Sequence, residues 1–226
     1  MPREAARGAL GGRCGSDGAV PAPSAWKLLR EGRGGGGANR QPMPTALARR
    51  RVLMDPHEID RVIARMAHQI VEPEDAQTGL LVIGIRRGGE ALARRLASRI
   101  AEIQGAPPDL GFLNINLYRD DDVARELPES EIRNEITGRT VVIVDDVLYT
   151  GRTVRAALDA VTDLGRPRAI RLAVLIDRGL RELPVQADYV GKVIPTSRRE
   201  HIDVVLSAGR SNADEVALAD EDRGSA

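Results

Sequence analysis

"VVIVDDVLYTGRT", Val141 to Thr153, decides the fold. Val141, Val142, Ile143 and Val144 are four β-branched residues in succession, the composition of a strand buried on both faces of a parallel sheet. Asp145 and Asp146 follow at once, then Val147, Leu148 and Tyr149. Thr150, Gly151, Arg152 and Thr153 lead into the helical pattern "TVRAALDAVTDLG", which closes on Gly165. Strand, short loop and helix in this order predict a βαβ unit. In such a sheet ligands bind beyond the carboxyl ends of the strands, where the two acids fall.

Adjacent carboxylates repel, so a shared ligand is needed to explain them. Side chains alternate along a strand, but a twist at its end would let both acids reach the vicinal hydroxyls of one ribose, each by charge-assisted hydrogen bonds. The first N–H groups of the following helix lack partners and carry partial positive charge, which makes an anion site. Gly151 allows close backbone approach, and the hydroxyls of Thr150 and Thr153 can donate. The helix end alone contributes only about 0.3–1 kcal/mol. A multiply charged phosphate ligand therefore calls for Mg²⁺ as well, borne chiefly by the ligand's own phosphates.

Outward from this string the chain alternates strands and helices, which predicts a mainly parallel sheet in an α/β fold. "DPHEIDRVIARMAHQIVE" reads as a helix capped by Asp55, with Pro56 at its first position and Glu58 completing a capping box. Order is expected to begin there. Ile59, Val62, Ile63, Met66 and Ile70 share one face; Arg61, Arg65 and His68 share the other. "GLLVIGI" (79–85), "LGFLNINLYR" (110–119), "AIRLAVLIDR", "YVGKVIP" and "HIDVVLS" read as strands, and "GGEALARRLASRIAEI" as a helix. The polar, acidic stretch 120–138 is expected to be a mobile loop.

Three segments follow: a Gly-rich tail over 1–43, expected to be disordered, a domain over 44–208, and a polar C-terminal tail over 209–226, expected to fray. The first 43 residues carry seven Lys/Arg against three Asp/Glu, within a chain of zero formal net charge. An early start codon, with translation from Met43, is the expected origin of that tail. The body is thus no polycation, and any nucleic-acid contact must be a local patch. No apolar run reaches the roughly 18–20 residues needed to span a bilayer, and no signal peptide is apparent. The single cysteine, Cys14, allows neither an internal disulfide nor a cysteine-clustered zinc site. Cytoplasm is the expected compartment.

The whole string from Val141 to Thr153 resembles the 5-phosphoribosyl-1-pyrophosphate (PRPP) motif of type I phosphoribosyltransferases. With "NLYRDD", "LAVLIDRGLRELPVQADYVGK" and "IPTS", the stretch from Val52 to Leu206 is similar to the PyrR family. Its members are bifunctional pyrimidine-operon attenuators with uracil phosphoribosyltransferase activity. The resemblance implies the type I fold with a small hood, and transfer from PRPP to uracil that gives UMP and pyrophosphate. It implies that Asp145 and Asp146 hold the ribose and that Thr150 to Thr153 grip the 5′-phosphate. Arg119 would contact pyrophosphate. Asp177, Arg178 and Arg181, with Tyr189, Val190 and Lys192, would line the uracil side. His57 and His201 are expected to be surface or structural.

The family resemblance also implies binding of pyrimidine leader mRNA, promoted by UMP or UTP, with Arg65, His68 and Lys192 facing the RNA, and homo-oligomers. Two departures stand out. The loop after the first strand reads Thr-Arg-Gly in the family, whereas here Arg86, Arg87, Gly88 and Gly89 place Arg87 and Gly88 at the Thr-Arg positions, and Arg86 or Arg87 would have to supply the guanidinium. Ala64 stands where the family has Thr beside the helix arginine. A nucleotide-sensing attenuator with little catalysis, and a phosphoribosyltransferase for another base without an RNA role, are the alternatives.

Overall fold

The computed structural model describes residues 50–73, 79–116 and 129–220, all within the unit Pro44–Ala226. Five strands form a parallel sheet in the order β3-β2-β4-β5-β6. They are β2 (Leu80–Ile85), β3 (Asp109–Leu113), β4 (Thr140–Leu148), β5 (Ala169–Asp177) and β6 (Tyr189–Val193). Three helices accompany them: α1 (Pro56–Val71), α2 (Gly89–Gln104) and α3 (Arg152–Leu164).

β4 is the central strand, and the stretch Val141 to Val144 is buried throughout. Its side chains divide by alternation. Val142 and Val144 join one apolar cluster with Ile59, Ile63 and Met66 of α1 and Leu92, Leu96 and Ile100 of α2. Val141 and Ile143 join a second cluster with Val154, Ala157, Ala160 and Val161 of α3. Each fully buried Leu or Ile contributes about 1.5–3 kcal/mol by leaving water, so both faces of the sheet are firmly covered. α1 starts as its capping pattern requires: the Asp55 carboxylate accepts the Glu58 N–H at 2.7 Å, which holds its pKa below the usual aspartate value.

A second, antiparallel sheet of three strands, ordered β1-β8-β7, makes the hood. It draws on both ends of the described chain: β1 (Arg51–Met54), β7 (Glu200–Val205) and β8 (Glu215–Asp220). Three expectations are corrected here. A strand, β1, already precedes Asp55, and its Met54 is buried in the α1/α2 cluster. The segment beyond 209 does not fray where Val216 and Ala217 are buried and β8 pairs with both neighbours. Part of the stretch 129–138 is anchored: Glu131 bridges Phe112, and Ile136 sits in the α3 cluster. The third strand closes at Leu113, since residues 114–116 are not strand; the loop residues 120–128, residue 119 and the tail 1–43 lie outside the described residues.

The hood is tied to the core by an ion cluster. The Arg95 guanidinium, only 6% exposed, donates to Asp214 at 2.6 Å and to Asp60 of α1 at 2.7 Å. Asp214 is fully buried in the turn between β7 and β8, where it also accepts the Ser207 and Ser211 N–H groups. Removing one partner of a buried pair leaves the other charge uncompensated. Asp214→Ala is therefore expected to cost about 3–5 kcal/mol of unfolding free energy, read by urea denaturation, whereas Arg210→Ala, whose side chain meets Asp60 from the exposed rim, should cost about 0–1 kcal/mol.

Candidate functional site

The strand order reverses between β2 and β4. β2 continues through α2 to β3 on one side, and β4 through α3 to β5 on the other. The loops after β2 and β4 therefore meet at one carboxyl edge, the switch point where α/β sheets receive ligands. Gly89 makes this meeting possible. A β-carbon there would fall on the Val144 carbonyl, 2.8 Å from its carbon.

Alternation carries past the buried run and sends the two aspartates apart. Asp145, nearly buried, lines a cavity of about 290 Å³ on the α3 side, together with Val147 to Val154. Asp146 lines a second cavity of about 560 Å³ against the hood, with Val147, Tyr149, Arg178, Arg198 and Glu200 to Val204. Their carboxyl groups nonetheless stay in direct interaction range of each other, so one ligand across the strand end can meet both acids. A ribose with a phosphate on one side and a base or leaving group on the other has that shape.

In the smaller cavity, Gly151 takes φ +92°, the left-handed region that favours glycine, and α3 begins at Arg152 with no side-chain cap. Of its first N–H groups, that of Arg152 reaches Thr150 Oγ1 at 3.4 Å, and those that follow can meet an anion. The loop is braced from behind: the Thr150 carbonyl accepts the Glu182 and Leu183 N–H groups at 3.0 and 3.1 Å. Arg181 gathers the carbonyls of Leu148, Tyr149, Gly179 and Val185 and pairs with Asp177 at 2.6 Å. Asp177 and Arg181 therefore shape this loop from beneath it.

In the larger cavity, Arg178 stacks 4.1 Å from the Tyr149 ring and donates to Thr196 Oγ1 and the Ser197 and Glu200 carbonyls. It ties the hood to the strand end. Burial pushes the Asp146 carboxyl above the usual 3.8, an effect opposed by N–H donation from Val147 and from its own backbone, by the Asp145 side chain, and by the charge of His201. Glu182 spans the two rims, bonding Arg152 at 3.0 Å and lying 3.9 Å from Arg198.

Other expected site residues lie elsewhere. Tyr189, Val190 and Lys192 belong to edge strand β6 and line neither cavity. Lys192 donates to Glu58 at 2.7 Å and to the Leu53 carbonyl at 3.1 Å. Arg65 donates to the carbonyls of Val190 and Gly191 at 3.1 and 2.5 Å, covering that edge. His68 is exposed on the last turn of α1. Arg86 is held by the Glu129 carbonyl, Glu90 and Glu131. Arg87 is exposed, at φ +82°, and has no hydrogen-bond partner among the described residues. The wall from Arg198 to Val204, His201 included, escaped the sequence analysis. Its period-two pattern marks a strand, but the face that it would present to Asp146 is set by hood packing.

Comparison with known proteins agrees with this geometry. The phosphoribosyl transferase domain family matches residues 53–207. The bifunctional protein PyrR of Pelotomaculum thermopropionicum is 52% identical over 158 residues, covering 68% of this chain and 87% of that protein. The chain belongs to the PyrR family of phosphoribosyltransferases. The PyrR proteins of Thermus aquaticus and Bacillus velezensis are 52% and 48% identical, over 86% and 90% of their lengths. Among solved structures, the hypoxanthine phosphoribosyltransferase of Trypanosoma cruzi superposes with a TM-score of 0.58 at 21% identity, covering 76% of this chain and 97% of that one. At that identity the likeness concerns the fold.

Because the folded state disfavours the ionised Asp146, Asp146→Asn is expected to raise the Tm at pH 7, where ionisation favours the unfolded wild-type chain. The difference should vanish below pH 3.8, the ordinary value, where both side chains are neutral. Thermal melts across that range check the sign.

Proposed function

We propose that uracil N1 displaces pyrophosphate from C1 of PRPP in this site, giving UMP, and that the UMP-loaded protein binds pyrimidine leader mRNA. The observation that carries the catalytic half is the pair of cavities divided by Asp145 and Asp146. The 5′-phosphate belongs on the amides of Thr150 to Thr153, the ribose across the strand end, and uracil with pyrophosphate in the cavity toward β7. As C1 loses pyrophosphate it gains positive charge, and the carboxylates of buried Asp145 and partly buried Asp146 beside it would stabilise that state more than water would. Membership of the PyrR family at about 50% identity supports uracil as the base and the regulatory role.

Arg87 is the pyrophosphate ligand in this proposal, since Arg86 is already committed to three oxygen partners. Arg119, outside the described residues, would add a second guanidinium. Among the described residues no cluster of three or more His, Cys, Asp or Glu could cage a cation. Mg²⁺ would therefore ride on the pyrophosphate oxygens, with the aspartate pair as its protein contacts, and there it would neutralise the leaving group's charge. Arg65 and Lys192 hold α1 to the sheet edge as well as facing outward, which leaves His68 as the cleaner probe of the RNA face.

The proposal also assigns residues 44–220, β8 included, to one phosphoribosyltransferase unit, with the tail before it outside the reaction. Among the described residues no helix is long and apolar enough to cross a membrane, which supports a cytoplasmic setting. Self-association is supported by exposed Val52 and Val193, chain neighbours of the Leu53–Lys192 contact. A nucleotide sensor with little catalysis is the second reading, favoured by Gly88 in place of the family's arginine.

Incubation with uracil, PRPP and Mg²⁺ is expected to yield UMP and pyrophosphate one to one. Tight UMP binding without turnover would select the sensor instead. Arg87→Ala should raise the KM for PRPP about tenfold, the scale of one charge-assisted hydrogen bond, with UMP affinity unchanged. For the regulatory half, affinity for a pyrimidine-operon leader hairpin should rise when UMP is added and fall in His68→Ala. Equal, weak binding with and without UMP would remove the RNA role.

A further inference from the structure

Arg178 follows β5 directly and is only 5% exposed, although it carries a full charge. Its Nε donates to Thr196 Oγ1 at 2.8 Å, and its Nη2 donates to the Ser197 and Glu200 carbonyls at 3.0 and 2.6 Å. All three acceptors are neutral oxygens. The Glu200 carboxylate accepts the Ser197 N–H instead, at 2.6 Å. A buried cation among neutral groups is costly unless each N–H meets an oxygen. Nη1 meets none among the described residues. Nor is it sealed in, because no fully buried side-chain nitrogen or oxygen of those residues lacks a partner. Nη1 therefore opens into the larger cavity, which Arg178 lines.

This donor is held still. The guanidinium carbon lies 4.1 Å from the centre of the Tyr149 ring, and the Arg178 N–H bonds the Leu148 carbonyl at 3.1 Å. Strand order then decides what Nη1 meets. β2, with Arg87 in the loop behind it, lies on one side of β4, whereas β5 and Arg178 lie on the other. A ribose across the strand end thus has the leaving group's loop on its β2 side and Arg178 on its β5 side.

We infer that Arg178 is a specificity-determining residue: its Nη1 donates to a keto oxygen of the pyrimidine, and a base with an amine at that edge sets donor against donor. The identity of the ligand rests on the phosphoribosyl reading, whereas the open N–H is a property of the ligand-free fold. A cation bonded only to neutral oxygens suits this task, since no acid bonded to it competes with the weaker acceptor on the base. A base lacking that oxygen leaves the desolvated N–H unpaired, which discriminates more sharply than apolar contact does.

UMP and ribose 5-phosphate differ in the base, so their affinities separate contact with the base from contact with sugar and phosphate. Arg178→Lys keeps a cation and removes Nη1. It should weaken UMP binding about tenfold, the scale of one charge-assisted hydrogen bond, and leave ribose 5-phosphate and pyrophosphate binding unchanged. Equal losses for UMP and ribose 5-phosphate, no loss for UMP, or a loss confined to pyrophosphate would each overturn the inference. Because Arg178 also ties the hood to β5, a variant that does not fold is replaced by wild-type crystals with UMP. There Nη1 should lie about 2.7–2.9 Å from an oxygen of the base, and a water or a phosphate oxygen in that place overturns the inference. If Arg178→Lys weakens UMP alone but wild type makes no UMP from uracil and PRPP, the base contact stands and the proposed reaction fails.

Discussion

The parallel pairing of β2 with β4 is the constraint from which the rest follows. It aligns Gly84 with Val144 and so brings the end of one strand beside the start of the aspartate pair on the other. Only because Gly89 lacks a side chain can the first turn of α2 lie against the Val144 carbonyl. Were those strands to slip by one residue, every side chain on β4 would change face. Asp145 and Asp146 would exchange cavities, and Val142 and Val144 would leave the α1/α2 cluster. The site's geometry is therefore held by the same apolar packing that holds the fold, with the hydrogen-bond ladder setting its register.

The hood is held differently. Its strands come from the two ends of the described chain and bury few large side chains, chiefly Met54, Ile202 and Val216. Ionic and hydrogen-bonded ties make up the difference. Arg95 with Asp214 fixes the β7–β8 turn to the helices, and Arg178 fixes the start of β7 to the end of β5. Polar ties of this kind specify one orientation but contribute less net stability than apolar burial.

Much of this was legible in the chain. The string from Val141 to Thr153 gave a buried strand, a loop and a helix start because each rests on local physics: β-branched sterics, a glycine at positive φ, uncapped N–H groups. α1 was legible through Asp55, Pro56 and Glu58 for the same reason. What depends on distant packing was not. β1 and β8 are short, flanked by charge, and become strands only by pairing with each other. Arg65 and Lys192 read as a wet helix face and a ligand group until the edge of β6 is seen beneath them. His201, read as surface or structural, is exposed on β7, and only the pairing of β7 shows that it also rims the Asp146 cavity. The aspartate pair was expected at one ligand; the fold sets the two acids at neighbouring cavities while their side chains stay in reach of each other.

The most direct test of the account is a crystal structure of the full chain with UMP. The account requires the phosphate on the backbone amides of Thr150 to Thr153, the ribose hydroxyls across Asp145 and Asp146, and the base in the cavity walled by Arg178 and His201. Nucleotide bound at another surface, with both of those cavities unfilled, would contradict it.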